Sequence, residues 1–408
     1  MKRLLFFKGV SWLILLNIII KPLWIFAIDR QVQNVVGHEE YGIYFSLLNL
    51  SIVFSFISDA GISSMLNRQL ALQQQINIKS LFRLKCALAL VYIGTLLIVA
   101  WLTGISRWEI LVLVVILQVA ISFLLFFRSI LTANQRFSTD AYVSVMDKAL
   151  MILFCGPLLY VVADADFDIW TFLLIQIGCT LITIVFAFRF ILKKELIRSF
   201  DRISLKNIFT LIAPFAVIIL LMSAHYRIDG FLLERIRGPY EAGIYASAFR
   251  LLDAGSMAGY LIASFLVPFV ARNSFDQKLV AKTVSKISQF LLPTGVAAAI
   301  LIIIFSPWIM NLLYLDTTNY QVTILKLSIA VLPALYLTHI YGSVLTAKGL
   351  FSSFIKIILV SFLLNFSINI LLIHQYGALA SCAAAFVSQY ICGLSCWVLA
   401  SKNIKSII

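Results

Sequence analysis

Long apolar segments separated by short polar breaks run along the whole chain. Twelve of these segments are long enough to cross a bilayer, since a membrane-spanning α-helix needs about 20 mostly apolar residues. The pattern therefore predicts an all-α polytopic membrane protein. The twelve predicted spans are residues 10–28, 42–62, 83–103, 109–131, 142–162, 169–192, 208–229, 242–270, 286–306, 322–345, 352–374 and 378–400.

The composition agrees with this pattern and excludes most soluble enzymes. Of the 408 residues, 62% are hydrophobic and 12% are charged, whereas a soluble domain has about 45–50% and 25%. The six cysteines all lie in apolar segments, so we predict packing roles for them and neither a disulfide framework nor a metal site. The apolar segment after MKRLLFFKG has no small-residue cleavage site, and we interpret it as a retained first span.

The distribution of basic residues predicts the orientation. Of the 32 Lys and Arg residues, 24 fall in the terminal segments and alternate loops, a group in which we count Lys85, Arg128 and Lys148. The opposite loops contain four. Because basic residues accumulate in cytoplasmic loops, both termini are predicted to be cytoplasmic. The net charge of +14 is thereby explained by orientation, and no nucleic-acid partner is expected.

An internal repeat divides the sequence into two halves. Residues 37–46 read GHEEYGIYFS and residues 238–247 read GPYEAGIYAS, with six of ten positions identical. A second pair supports the repeat, because LTANQRFS at 131–138 returns as LTAKGLFS at 345–352. We predict two six-helix lobes in the same orientation, at 1–205 and 206–408. Such parallel repeats are typical of transporters whose binding site lies near mid-membrane between the halves.

Three stretches resemble one known family. They are VVGHEEYGIYFSLLNLSIVFSFISDAGISSMLNRQLA at 35–71, RIDGFLLERIRGPYEAGIYASAFRLLD at 227–253 and LLNFSINILLIHQYGALASCAAAF at 363–386. They are similar to the Wzx-like polysaccharide flippases, a branch of the multidrug/oligosaccharidyl-lipid/polysaccharide exporter superfamily. The resemblance covers most of the chain, and the 227–253 stretch is its most specific part.

The resemblance implies a fold, a substrate and a location. It implies a V-shaped exporter fold that moves undecaprenyl-pyrophosphate-linked oligosaccharide across the bacterial inner membrane by alternating access. Twelve spans fit the O-antigen type, whose cargo passes from the cytoplasmic to the periplasmic leaflet. It also implies polymerase and chain-length proteins of the same pathway as partners. Cavity charges in this family vary with substrate, so no individual site residue is transferred from it.

Ionisable and polar residues inside the predicted spans are the candidate site residues. A charge in a span is costly unless it is paired or faces water, so it indicates function. The cations are suited to pyrophosphate because they form charge-assisted hydrogen bonds with phosphate oxygens. These candidate cavity cations are Lys21, Arg227, Arg250 and Lys326. The candidate coupling or ion-pair acids are Asp59, Asp229 and Asp253. The candidate polar lining residues are Asn17, Ser55, His225, His339, Asn365 and Asn369.

Several of these residues also have a purely structural interpretation. Arg250 and Asp253 are three residues apart on one helix and can neutralise each other. Lys326 lies near a span end, from which its side chain can extend to the interface. Asp59 can cap a helix end, and His339 can be a hydrogen-bonded structural histidine. The sequence alone leaves both interpretations open at these positions.

The sequence contains no GxxxxGK[ST] phosphate-binding loop, so we expect no ATP hydrolysis by this chain and no bound cofactor. Transport then depends on consumption of the product or on a proton or sodium gradient. We hypothesise that Asp229 or Asp253 exchanges protons during the cycle.

Two other functions fit parts of the sequence. The first is a multidrug or cation antiporter of the same superfamily, which would favour acidic cavity residues over the four intramembrane cations seen here. The second is a membrane glycosyltransferase or polymerase. Such an enzyme usually has a large outer loop, and the longest predicted outer loop has only about 15 residues.

Overall fold

The structure, a computed structural model, describes residues 12, 15–63, 65–66, 78–133, 136–161, 167–191, 205–315 and 317–405. Helices account for nearly all of this part of the chain, and no strand occurs in it. Eleven helices within these ranges are long and apolar enough to cross a membrane. The all-α, multi-pass fold predicted from the hydropathy pattern is therefore confirmed.

The helices are numbered here in chain order, with the first taken as one continuous segment. They are α1 (Leu15–Asp59), α2 (Ile78–Leu102), α3 (Trp108–Ala133), α4 (Phe137–Tyr160), α5 (Ile169–Ile191), α6 (Leu205–Arg237), α7 (Pro239–Arg272), α8 (Gln277–Leu313), α9 (Asn319–Ile329), α10 (Leu332–Ala347), α11 (Phe351–Tyr376) and α12 (Ala378–Lys405).

Helix α1 contains the first two predicted spans. Gly37 divides it, because its φ of 81° and ψ of 170° are not helical. A π-helical turn at Ile25–Asp29 lies in the part before Gly37. Residues 10, 11, 13 and 14 of the first predicted span lie outside the described residues. The eleven apolar helices thus correspond to the twelve predicted spans, with the first two joined.

The tenth predicted span is interrupted. It consists of α9 and α10, which are separated by a turn at Ala330 and Val331. Pro333 follows at the start of α10. Proline has no N–H and cannot continue the hydrogen-bond ladder of a preceding helix, which explains the break at this position.

Capping side chains, and not only the ends of apolar segments, determine where some helices begin. Asp276 accepts a hydrogen bond from the backbone N of Leu279 at 2.9 Å and starts α8. Thr318 and Gln321 form a capping box at the start of α9. Because these caps are polar, α8 begins at Gln277 although its apolar segment was predicted from 286. Hydropathy detects the apolar part of a helix and misses its polar extension.

The chain forms two compact units. One contains the chain up to Val36 together with Leu47–Leu220, and the other contains Gly37–Ser46 and Leu221–Ile408. In the first unit α3 packs on α5 and α4 packs on α5. In the second unit α12 packs on both α10 and α11, and α7 packs on α9 and α10. The division into lobes at 205/206 stays a prediction.

Both copies of the repeat have the same backbone conformation at their first glycine. Gly37 has φ 81° and ψ 170°, and Gly238 has φ 95° and ψ 170°. Side chains disfavour positive φ, so glycine is needed at this point of each copy. The repeat found in the sequence is therefore also a repeat of local structure, in which each glycine precedes a helix.

The two copies also pack against each other within the second unit. A Cβ atom on Gly42 would overlap the carbonyl oxygen of Pro239, and one on Gly243 would overlap the carbonyl oxygen of His38. The contact is reciprocal, since each copy presents its second glycine to the other copy's backbone. Small residues allow such close approach of helices in membranes. Phe45 extends the contact, with its ring centre 5.7 Å from that of Phe249.

We expect Gly42→Ala and Gly243→Ala each to destabilise the protein by about 1–3 kcal/mol, the usual effect of overpacking. The added methyl group meets backbone, which cannot move aside as a side chain would. Thermal unfolding of the purified protein in detergent measures the effect. Gly178→Ala in α5 is the matched control, because nothing lies within 4 Å of a Cβ at that position. Equal stability of all three variants would contradict the close contact.

Candidate functional site

A polar face of α4 lies against the start of α1 in the first unit. Asn17 is 1% exposed and donates from Nδ2 to Ser144 Oγ at 2.6 Å. Asp140, Ser144 and Asp147 recur every three or four residues along α4 and share one helix face. This face contains two carboxylates and lies near the turn of α1 that contains Lys21.

Each of these two carboxylates already has a cation. Arg128 on α3 binds Asp140 with both ends of its guanidinium, at 2.8 Å from Nε to Oδ1 and 3.2 Å from Nη2 to Oδ2. Asp147 forms an ion pair with Lys148 at 3.3 Å. The Lys148 ammonium also lies 4.2 Å from the ring centre of Trp24, a cation–π contact.

Lys21 is the cation of this cluster that has no acid of its own. It is half-buried and forms no hydrogen bond or ion pair with any residue that the structure describes. The charges of Arg128, Lys148, Asp140 and Asp147 act on it. These five residues, called here the Lys21 cluster, contain three cations and two carboxylates. Their surplus positive charge favours binding of an anion.

A second ion pair in the first unit connects Asp59 to a lysine that sequence analysis placed in a loop. Lys85 has no exposed surface and donates to Asp59 Oδ1 and Ser122 Oγ, each at 2.8 Å. Ser55, predicted to line a cavity, donates to the carbonyl of Ile52 on its own helix at 2.7 Å. Asp59 also accepts hydrogen bonds from the backbone and hydroxyl of Ser63. Through these contacts Asp59 connects α1 to α2 and caps the end of α1.

In the second unit Arg227 is paired with Asp253. Its Nη1 and Nη2 lie 3.1 and 3.0 Å from the two carboxylate oxygens, and Tyr226 Oη donates to the same carboxylate at 2.9 Å. The guanidinium carbon is 4.9 Å from the ring centre of Tyr226 and 5.0 Å from that of Phe249. The side chain is 17% exposed, so one edge of this paired group is accessible.

Arg250 shares the same carboxylate. Its Nη1 is 3.8 Å from Asp253 Oδ2, and its Nε donates to Tyr41 Oη at 2.9 Å. The i,i+3 pairing considered from the sequence therefore exists, although Arg227 binds Asp253 more closely. Asp253 forms ion pairs with both guanidinium groups. Arg227, Arg250 and Asp253, called here the arginine pair with Asp253, have a net positive charge.

Asp229 is surrounded by neutral hydrogen-bond donors. It is 2% exposed, and it accepts from Asn369 Nδ2 at 3.0 Å and from Tyr245 Oη at 3.5 Å. Asn369 in turn lies 3.2 Å from Asn365 Oδ1 and accepts from Ser381 Oγ at 2.8 Å. Among the described residues no Lys or Arg forms an ion pair with Asp229. A carboxylate buried without a counterion favours binding of a proton or a cation.

The remaining candidates lie apart from these clusters. His225 is 3% exposed and hydrogen-bonds through Nε2 to Ser388 Oγ at 2.8 Å. His339 is half-buried, with its ring centre 6.4 Å from that of Tyr260. Lys326 on α9 is half-buried and makes no side-chain hydrogen bond or ion pair within the described chain.

Sequence analysis missed Lys85, Arg128, Asp140 and Lys148 as intramembrane charges. Three of them were counted as loop residues that set orientation, and the structure places all three inside α2, α3 and α4. Arg128 lies in α3, which extends beyond the span predicted at 109–131. Asp140 lies in α4, which begins before the span predicted at 142–162. The spacing of Asp140, Ser144 and Asp147 on one helix face was the available signal. The remaining loop residues still favour the predicted orientation.

Metal binding has no support from the described residues. No group of three or more His, Cys, Asp or Glu side chains in that part of the chain is arranged to hold a metal ion.

Comparison with solved structures shows the fold. The chain is similar to an outward-facing multidrug resistance MATE family transporter of the MOP superfamily, with 13% identity, a TM-score of 0.72, and coverage of 98% of this chain and 96% of that one. It is also similar to a MATE structure in a bent conformation, with 13% identity, a TM-score of 0.69 and 98% coverage of both chains.

A third similar structure is a MOP superfamily transporter from Pyrococcus furiosus. It has 14% identity, a TM-score of 0.75, and coverage of 98% of this chain and 96% of that one. Its description states that the reversed polarity of its binding pocket suggests a different function. At these identities the likeness shows the fold alone, which is that of the exporter superfamily expected from the sequence.

A protein-family model matches most of the chain. A search of curated proteins finds no significant match. The family model described as "Polysaccharide biosynthesis protein" matches residues 6–274, which include the repeat copies at 37–46 and 238–247 and the residues of the Lys21 cluster. The resemblance stated from the sequence is thereby confirmed, and the chain belongs to the polysaccharide biosynthesis protein family.

Proposed function

We propose that this protein moves a lipid-linked oligosaccharide with a pyrophosphate group from the cytoplasmic to the periplasmic leaflet of the bacterial inner membrane. The observation that carries this proposal is that the Lys21 ammonium, in a cluster with surplus positive charge, has no partner among the described residues. Membership of the polysaccharide biosynthesis protein family supports a glycan as the cargo. The membrane-length helices support a lipid carrier.

The chemistry of the cations fits a pyrophosphate. An ammonium donates several hydrogen bonds as a compact charge, and a guanidinium presents two parallel N–H groups to phosphate oxygens. Lys21 is free to donate because Asp140 is held by Arg128 and Asp147 by Lys148. We propose that Lys21 binds the pyrophosphate and that the arginine pair with Asp253 contacts the same kind of anion during the transport cycle.

The surplus of cations also separates this function from drug export. A transporter for cationic drugs requires acidic groups that are available to the drug. Of the candidate acids, Asp59 is paired with Lys85 and Asp253 with Arg227. The third, Asp229, is only 2% exposed and so offers little surface to a drug. The similar Pyrococcus furiosus structure, described as having reversed pocket polarity, supports the view that one fold serves cargoes of either charge.

We propose Asp229 as the residue that couples transport to an ion gradient. Asp253 is less suited, because Arg227 holds both of its oxygens. Asp229 has only neutral donors in Asn369 and Tyr245. Gain or loss of a proton or a sodium ion therefore changes the charge of a buried site, which is a change that can bias two conformations of a transporter.

We expect Lys21→Ala to reduce transport at least about tenfold. Loss of a charge-assisted hydrogen bond removes about 1.5–3 kcal/mol, and about 1.4 kcal/mol corresponds to a factor of ten. Lys21→Arg should retain most of the activity, since it keeps the charge. Movement of labelled undecaprenyl-pyrophosphate oligosaccharide in proteoliposomes, together with glycan display by cells, measures the effect.

The control for Lys21 is Lys356→Ala, which removes one exposed lysine of the same type. Both variants should insert and unfold like the unmodified protein. Normal glycan display by Lys21→Ala would contradict the assignment of Lys21 to the substrate.

A double-mutant cycle separates the two roles of Arg227. We expect Arg227→Ala to lower both stability and transport, because it leaves Asp253 with only the more distant Arg250. The double variant Arg227→Ala/Asp253→Ala should regain stability without regaining transport, since the substrate cation is still missing. Unfolding midpoints and proteoliposome transport are measured for all four proteins. Recovery of transport in the double variant would assign Arg227 a purely structural role.

We expect Asp229→Asn to make transport insensitive to the ion gradient that drives the unmodified protein. The amide is a neutral mimic of the protonated acid and cannot be ionised. Transport is measured in proteoliposomes with an imposed proton or sodium gradient, and again after its collapse. Asp276→Asn is the control, because that carboxylate only caps α8. A gradient response in Asp229→Asn equal to that of the control would exclude Asp229 as the coupling residue.

A further inference from the structure

Three exposed lysines form a row on the first turns of α8. Lys278, Lys282 and Lys286 are spaced by four residues and all are exposed. None of them forms a hydrogen bond or ion pair with another described residue through its side chain. Side chains four residues apart lie above one another on a helix, about 6 Å apart along the axis. The row, called here the α8 lysine row, is a line of three unneutralised charges.

Packing of α8 fixes the direction of this row. Val280, Val284 and Leu291 are buried, at 1%, 2% and 4% exposure. By helical spacing these three residues occupy the side of α8 opposite the lysines. The cap formed by Asp276 holds the first turn in helical conformation. The lysines are therefore held away from the protein interior.

The lysine row continues an exposed apolar face of the same helix. Phe290, Ile300, Ile304 and Trp308 are 70%, 51%, 62% and 64% exposed, and helical spacing puts them on the same side as the lysines. In a membrane helix an exposed apolar face contacts acyl chains. The lysines are thus the polar end of the face that the helix presents to the surrounding lipid.

The length of α8 brings the row to the edge of the hydrocarbon. The helix has 37 residues and is about 55 Å long, whereas the hydrocarbon core is about 30 Å thick. Exposed Trp308 is typical of one interface, and about 20 residues span to the other. Counting back from Trp308 places Lys286 next to the second interface. Lys282 and Lys278 follow within reach of the headgroups, because lysine stems are long and flexible.

Other exposed bases lie at the same end of the second unit. Arg272 ends α7, Lys356 lies in the first turns of α11, and Lys402 is near the end of α12. The acid near the row, Asp276, is engaged in capping. The lysine row therefore lies in a positive field in which the cap residue Asp276 is the nearby acid along α8.

We propose that the α8 lysine row binds the phosphodiester headgroups of anionic phospholipids in the surrounding membrane. Three ammonium groups at regular spacing donate charge-assisted hydrogen bonds to phosphate oxygens. The exposed apolar face of α8 then contacts the acyl chains of the same lipids. This proposal does not depend on the transported substrate, because it concerns the outer surface of one helix.

The test uses the full-length protein in nanodiscs of phosphatidylcholine, with phosphatidylglycerol added stepwise. The midpoint of thermal unfolding is the readout. We expect phosphatidylglycerol to raise the midpoint of the unmodified protein, with an effect that weakens as salt concentration rises. In the variant Lys278→Gln/Lys282→Gln/Lys286→Gln, we expect the half-saturating amount of phosphatidylglycerol to rise at least about tenfold, since each lysine near an anionic surface contributes roughly a factor of five.

The control variant is Lys79→Gln/Lys356→Gln/Lys402→Gln. It removes the same formal charge at exposed positions that form no row, and it should keep the phosphatidylglycerol effect. An equal loss in both triple variants would overturn the proposal, because net charge alone would then explain the binding. The absence of any difference between phosphatidylglycerol and phosphatidylcholine for the unmodified protein would also overturn it. The proposal would also be overturned if polyglutamate bound through these lysines as tightly as phosphatidylglycerol does, since the row would then fit an acidic protein surface.

Discussion

An ionised side chain within a membrane span must be paired or must reach water, and this constraint organises the polar interior of the protein. Lys85 meets it through Asp59, Arg128 through Asp140, and Arg227 through Asp253. In each pair the acid and the base come from different helices, so every pair also fixes how two helices pack. Lys21, Lys326 and Asp229 depart from this pairing, since none of them has a counterion among the described residues. A buried ionisable group without a counterion is stable when it is neutral, when it reaches water or when another species supplies the missing charge.

The two units meet this constraint in opposite ways. In the first, a cation on α1 lies near a helix face with two carboxylates that are already occupied by Arg128 and Lys148. In the second, a carboxylate on α6 lies against the amides of α11. The duplicated scaffold therefore repeats its backbone, as Gly37 and Gly238 show, without repeating its charges. Lys21 on α1, which has no counterion among the described residues, is suited to an anion, and Asp229 on α6 is suited to a proton or a cation.

Much of the fold was predictable because it depends on local properties of the chain. The apolar segments predicted the helices. The similarity of GHEEYGIYFS to GPYEAGIYAS identified the repeat whose two copies pack closely together. Helix ends were less predictable. Asp276 starts α8 nine residues before its predicted span, since a polar cap stabilises helical turns that hydropathy does not register. The loop assignments of Lys85, Arg128 and Lys148 were wrong for a different reason, because these residues lie near the ends of predicted spans and were counted with the adjacent loops.

The sequence by itself determined the helical membrane fold, the duplication, the family and part of the set of intramembrane charges, because hydropathy, repetition and residue type are written along the chain. Only the tertiary structure decided which charges are neutralised. Arg227 and Lys21 are equivalent candidates in sequence, yet Arg227 lies against Asp253 and Lys21 has no counterion within the part of the chain that the structure describes. Asp253 and Asp229 are likewise separated only by what surrounds them. Pairing depends on distances between helices remote in sequence, and those distances are set by packing.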